Sequence, residues 1–308
     1  MIADTPTPKI HANTLCANFH KFQVEEELLM NPLRLAAYTT LTMLAFAANS
    51  VLCRLALKET TIDPASFTTV RILSAVVMLW LVMRRQKQSP LEHGSWRSAL
   101  VLFIYAVTLS FAYRTIDTGA GALMLFGAVQ ATMLLAGYIA GERMSSWQSF
   151  GFAAAIAGLV ILVLPGAHAP SALDSVLMMT SGIAWGIYSL FGRGSANPAA
   201  STSGNFLRAA PLTIGMSLLA LPWLKLDAHG VLYAVLSGSL SSALGYVLWY
   251  RVLQHMRAMT ASTVQLSAPV IAALGGIILM NEKATAGLLI SSVLILGGIA
   301  LVLRTGKT

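Results

Sequence analysis

Charge is scarce in this chain. Only 10% of its 308 residues are Asp, Glu, Lys or Arg, whereas 56% are hydrophobic and the mean hydropathy is +0.71. A soluble domain carries about 25% charge, so a soluble protein is excluded and an integral membrane protein is indicated. Cysteine is nearly absent: Cys16 and Cys53 have no metal-ligand spacing, and Cys53 falls inside an apolar run, which excludes a disulfide framework and a thiolate metal centre. No Asp, Glu or His occupies the middle of any apolar run. Intramembrane catalysis therefore lacks a base, and no enzyme activity, cofactor or metal is expected. Residues 1–32 lack an apolar signal segment with a small-residue cleavage site and contain Glu25, Glu26 and Glu27. They are expected to form a polar, disordered leader rather than a signal peptide, with Met30 as a candidate functional start.

What the chain has in abundance is apolar runs of membrane-spanning length. A helix needs about 20 mainly apolar residues to cross the bilayer, and ten windows qualify: 33–57, 64–83, 96–114, 118–140, 147–164, 172–193, 201–222, 230–252, 258–280 and 284–303. Of the twenty Lys and Arg, five (Arg54, Lys58, Arg114, Lys225 and Lys283) fall on one side, Arg71 and Arg208 fall within spans, and the remaining thirteen share the side of the N-terminus. The positive-inside rule then makes both termini cytoplasmic in a multi-pass plasma (bacterial inner) membrane protein. The basic residues are thinly spread without interleaved aromatics, which argues against nucleic acid.

The chain repeats itself. Glu142-Arg143 and Glu282-Lys283 are 140 positions apart, as are Gly158 and Gly298; an offset of 137 pairs Tyr113-Arg114 with Tyr250-Arg251 and Arg71 with Arg208. The unit is five spans, 33–164 and 172–304, joined by 165–171 and followed by a tail at 305–308. Because five is odd, the second copy enters the membrane from the opposite side. The expected fold is all-α and integral to the membrane, with ten transmembrane helices as two inverted five-helix repeats. Such repeats suit alternating access to a site near the midplane, which is favoured here over a channel because no ring of charge suggests a filter.

The two copies carry GERMSSWQSFGFAAAIAGLVILV from Gly141 and NEKATAGLLISSVLILGGIALVL from Asn281, with AWG at Ala184–Gly186. Over most of residues 33–304 the chain resembles the ten-helix EamA branch of the drug/metabolite transporter superfamily. That resemblance implies an exporter of amino acids or other small metabolites, with a cavity lined by the first, third and fourth helices of each half. The chain most resembles members that export amino acids, aromatic ones included. Ala48-Asn49 departs from the Trp-Gly of many members.

Midspan polar and aromatic residues are the candidates for contact with a small-molecule substrate: Asn49, Tyr105, Gln130, Trp185, Tyr188, Ser242, Tyr246 and Gln265. Gln130 offers an amide to a zwitterion or to a neighbouring helix. Gln265 with Pro269 suggests a polar, kinked helix opposite it. Ser181, Trp185, Tyr188 and Gly192 share one helical face, expected to turn to the cavity, the alternative being lipid or a neighbouring helix; Gly238, Ser241, Ser242, Gly245 and Trp249 form a stripe suited to close packing or to a cavity wall. Arg71 lies about seven residues, roughly 10 Å, into its span. It and Arg208 are expected to snorkel to the headgroups or act structurally, the alternative being that they gate the pathway and attract carboxylates. Without a deep fixed charge, neutral zwitterions with apolar or aromatic side chains are favoured as substrates, moved by uniport or exchange, with other metabolites or lipophilic drugs as the alternative. Ten helices suffice for one pathway in a monomer.

Overall fold

The computed structural model describes residues 31–85, 89, 92–139, 145–163, 170–192, 195, 197–255, 264–265 and 267–305. Residues 1–30 of the leader, the link between halves at 164–169, Glu142 and the C-terminal tail from 306 lie outside them, while Pro32, the last residue of the expected leader, already belongs to the first helix.

Local sequence starts the helices. Asn31 accepts from Leu33 N at the head of α1 (Pro32–Glu59), and Asp63 accepts from Ala65 N and Ser66 N before α2 (Pro64–Arg85). Ser95 caps α3 (Trp96–Ala112), Ser145 and Gln148 form a capping box on α5 (Ser146–Val163), and Ser171 caps α6 (Ala172–Gly192). Asn197 and Pro198 begin α7 (Pro198–Leu219), three residues before the expected span. Between these lies α4 (Thr118–Ile139). Asp227 caps α8 (Ala228–Gln254), α9 spans Ser267–Met280, and Thr285 caps α10 (Ala286–Thr305). Among the described residues α1, α2, α4, α6 and α8 are each long and apolar enough to cross a membrane, and α3 and α9 are shorter apolar helices.

The contacts reveal the internal symmetry. Exchange α1 with α6, α2 with α7, α3 with α8, α4 with α9 and α5 with α10. Then α1–α8 becomes α6–α3, α1–α9 becomes α6–α4, α2–α8 becomes α7–α3, and the pairs α2–α7, α4–α9 and α5–α10 map onto themselves. The protein is a ten-helix membrane bundle of two inverted repeats. Its most extensive helix contact is α5–α10, where a Cβ on Gly298 would strike the Gly151 carbonyl and one on Gly158 would lie 2.8 Å from Ile295 Cγ1. Small residues permit that approach, which supplies the packing that lipid cannot drive hydrophobically. The Gly182–Gly186 pattern likewise packs α6 on α4, against Leu125, Ala128 and Thr132.

One feature of α8 departs from a regular span. Its middle, Ser237–Leu244, is a π-helix of small and polar residues. Within it Gly238 lies so close to the Arg71 carbonyl of α2 that no side chain would fit. This wider turn brings Ser237 and Ser242 to the centre of the bundle.

Candidate functional site: a buried arginine beside an aromatic void

Halfway through the bundle both repeats contribute to one void. It is lined by Phe46, Asn49 and Ser50 of α1, Tyr105 and Leu109 of α3, Leu125 and Phe126 of α4, Trp185 of α6 and Tyr246 of α8. Its volume is about 10 Å³, enough for a single water. Trp185 is the centre of the aromatic wall, with ring centroids 4.5 Å from Tyr246, 5.1 Å from Tyr105, and 5.6 Å from both Phe46 and Tyr188.

The polar side of this wall is one hydrogen-bonded network. Ser237 Oγ donates to Asn49 Oδ1 (2.8 Å), Asn49 Nδ2 donates to the Tyr105 hydroxyl (3.1 Å), and the Tyr246 hydroxyl bonds that of Tyr105 (3.1 Å). Arg71 completes it. Nη2 donates to the hydroxyls of Tyr105 (3.1 Å) and Tyr246 (3.4 Å), Nε to Ser242 Oγ (3.2 Å), and Nη1 approaches Cys53 Sγ (3.8 Å). Arg71 is 1% exposed.

Of the two roles expected of Arg71, snorkelling is therefore not what the structure shows, whereas its bonds to α3 and α8 accord with a structural one. Depth along the chain was about 10 Å, but the α2 face bearing Arg71 turns toward α3 and α8, so the guanidinium extends inward across the bundle instead of outward to headgroups. The expectation of no deep fixed charge falls with it. Arg208, its repeat equivalent, is half-buried and donates to the backbone carbonyls of His93 and Gly204, tying α7 to the segment before α3.

The other expected residues divide. Asn49, Tyr105, Trp185 and Tyr246 line the void, and Ser242 touches it through Arg71. Tyr188 lies beyond Trp185, receiving a bond from Asn205 Nδ2 (3.3 Å), while the Tyr250 hydroxyl donates to the Tyr188 carbonyl (3.3 Å). Gln130 is buried one turn past Phe126, outside the lining. Gln265 is fully buried, and neither atom of its amide has a partner among the described residues; the 140-residue offset matches it to Leu125, a wall of the void.

Two groups escaped the sequence reading. A vestibule opens at each face. The first, about 400 Å³, is bounded by Ser95, Ser98, Gly192, Asn197, Asn205 and Tyr250 on the face where α1 begins; the second, about 650 Å³, is bounded by Leu57, Ile62, Asp63, Phe111, Arg114 and Lys225 on the face where α1 ends. At the second face Arg54, counted from sequence as a loop charge, is buried. It donates to Asp117 (3.0 Å), Glu282 (3.4 Å) and the carbonyls of Tyr113 and Arg114. Glu282 serves the start of α4: both carboxylate oxygens accept from Thr118 N, at 3.0 and 2.8 Å. Partners 228 residues apart leave no local signal.

A model of the EamA-like transporter family matches the chain twice, over residues 34–164 and 174–304. An uncharacterized protein of Pseudomonas aeruginosa is 48% identical over 273 residues, covering 87% of this chain and 95% of that one. A probable terminal-alkyne amino-acid exporter of Streptantibioticus cattleyicolor is 25% identical over 212 residues, 66% of this chain and 70% of that protein. A crystal structure shares the fold at a TM-score of 0.66 and 18% identity, over 89% of this chain and 99% of its own.

Proposed function

The chain belongs to the EamA-like transporter family, and from that premise we propose that it exports neutral and aromatic amino acids by alternating access, as a uniporter or exchanger. The observation that carries this reading is the void between the two repeats, walled by Phe46, Tyr105, Trp185 and Tyr246, with a vestibule on each side of it. Aromatic walls stack on planar or apolar side chains, while Asn49 and the tyrosine hydroxyls supply the orienting polar groups. Gln265, and Gln130 one turn from the void, offer further amides to a substrate in the opened states. With both termini cytoplasmic, the vestibule at Asn205 faces the cytoplasm and the one at Asp63 faces outward. The amino-acid relative of Streptantibioticus cattleyicolor supports the substrate class.

Opening one side then means separating the contacts at that face while those at the other persist. The inverted repeat makes the two open states similar in energy, since each half can take the other's conformation.

The test is efflux from proteoliposomes loaded with labelled phenylalanine, leucine and lysine. Saturable efflux of phenylalanine and leucine, faster when unlabelled substrate is supplied outside and reduced at least tenfold in Trp185→Ala, is the expected result. Absence of saturable efflux of any amino acid would sink the substrate assignment, and uphill flux driven by an imposed pH gradient would sink the uniport or exchange mode.

A further inference from the structure

A buried cation ordinarily has a carboxylate beside it, because taking a charge out of water costs more than neutral hydrogen bonds return. Arg71 breaks that expectation. It is 1% exposed, and its side-chain partners are three hydroxyls and a thiol: Ser242, Tyr105, Tyr246 and Cys53. Among the described residues no carboxylate forms an ion pair with it; the acids of the bundle's other charge cluster, the buried Glu282 and the exposed Asp117, are held by Arg54.

The surroundings of Arg71 point toward the void. The Tyr105 and Tyr246 hydroxyls that it touches belong to side chains lining the void, so the guanidinium is one hydrogen bond from the site proposed above. Asn49 is oriented the same way: Ser237 occupies its carbonyl oxygen, leaving its amide nitrogen toward Tyr105. The groups at this end are hydroxyls that can turn a proton toward an anion, an amide presented by its nitrogen, and a fixed positive charge. Of the remaining walls, Leu109, Leu125, Phe126, Phe46 and Trp185 are apolar, and Ser50 adds one more hydroxyl.

We propose that Arg71 is the substrate-anchoring residue, binding the carboxylate of the transported molecule, and that the site therefore selects monocarboxylates with an aromatic or apolar body. The α-ammonium group is not required. Nothing acidic lines the void to receive it, and the Arg71 charge disfavours a cation nearby, whereas a carboxylate there gains charge-assisted hydrogen bonding from the guanidinium and the hydroxyls it holds. This deepens the exporter reading and rests on it for the location of the site, but the anion preference is a binding property that stands or falls separately. The preference runs opposite to that of a drug exporter for lipophilic amines.

The experiment measures binding, by isothermal titration of the purified full chain in detergent, for three ligands of one shape: 3-phenylpropionate, 2-phenylethylamine and phenylalanine amide. The acid is expected to bind saturably and the two amines at least tenfold more weakly. Loss of the charge-assisted bonds in Arg71→Gln is expected to weaken the acid by about 10- to 100-fold, with Arg71→Lys recovering part of it. Binding of the amines as tight as that of the acid, acid binding unchanged in Arg71→Gln, or no binding of the acid at all would each overturn the proposal. If Arg71→Gln does not fold, the ranking of the three ligands on the unaltered protein decides. Acid binding that depends on Arg71 in a protein without phenylalanine efflux would uphold the anchor and reject the amino-acid exporter.

Discussion

At the face where α1 ends, Arg54 draws together the end of α1, the α3–α4 turn and the α9–α10 turn through charge, with Glu282 seated on the N-terminus of α4. At the opposite face the corresponding contacts are mostly neutral: Tyr188 stacks on Trp185, Asn205 holds its hydroxyl and Tyr250 its carbonyl, with Arg208 donating to the His93 carbonyl. Two of the helix caps differ in the same sense, with Asp63 starting α2 at one face and Asn197 starting its repeat partner α7 at the other. The backbone repeats and the side chains do not. An offset of 137 places Phe191 opposite Arg54, so the second copy has no cation with which to build the same cluster. The two faces thus differ in chemistry: Arg54 with Glu282 and Asp117 holds one, while aromatic and amide contacts around Tyr188 hold the other.

The largest effect should come from the ionic face. Arg54→Ala leaves Glu282, whose side chain is 5% exposed, without its cation, and breaking a buried pair costs about 3–5 kcal/mol. Thermal unfolding in detergent should show this loss, accompanied by faster labelling of Thr118→Cys by an impermeant thiol reagent from that side. A loss below about 1 kcal/mol, the range of exposed pairs, would mean that the cluster does not hold this face.

The neutral face should yield less. Tyr188→Phe keeps the ring on Trp185 and removes the hydroxyl bond to Asn205, a loss of about 1 kcal/mol. The loss should be the same in low and high salt. Dependence on ionic strength would show that the two closures are not chemically distinct.

The smallest effect should appear only in acid. Burial raises the Asp63 pKa, but hydrogen bonds from the Lys225, Ser66 and Ala65 backbone and the Ser66 side chain outweigh it, and the net shift is downward. A carboxylate with a lowered folded pKa contributes its stability above its unfolded value, about 3.9, and loses it as pH falls through the folded value. Melting temperatures recorded from pH 6 to pH 3 should therefore fall more for the parent chain than for Asp63→Asn. Equal slopes would remove Asp63 as a source of acid sensitivity at this face.

Much of the frame was legible because membrane helices are long, apolar and periodic. Odd repeat length fixed the inversion, and the offsets that pair Gly158 with Gly298 anticipated the α5–α10 packing. The Ser181, Trp185 and Tyr188 face turned inward as its spacing suggested: Ser181 Oγ donates to the Tyr105 carbonyl (3.0 Å) and Trp185 lines the void. Legibility failed where side-chain direction mattered. The same arithmetic placed Arg71 and Arg208 at equivalent depths, yet the π-helical turn of α8 opens a hydroxyl-lined niche for the first, while the second donates to the carbonyls of His93 and Gly204. The stripe from Gly238 to Trp249 suits close packing or a cavity wall; Gly238 packs against α2, and Ser242 holds Arg71.

The sequence by itself determined that this chain lives in a membrane, how many times its apolar runs repeat and that its halves are inverted, because hydrophobic length and periodicity are local, additive properties of a chain. Only the tertiary structure decided which charges are buried, which carboxylate meets which arginine, and that Arg71 faces neutral hydroxyls beside an aromatic void. Those outcomes depend on the rotation of each helix about its axis and on partners up to 228 residues away, and a charge in low dielectric is governed by its nearest few ångströms rather than by its place in the chain.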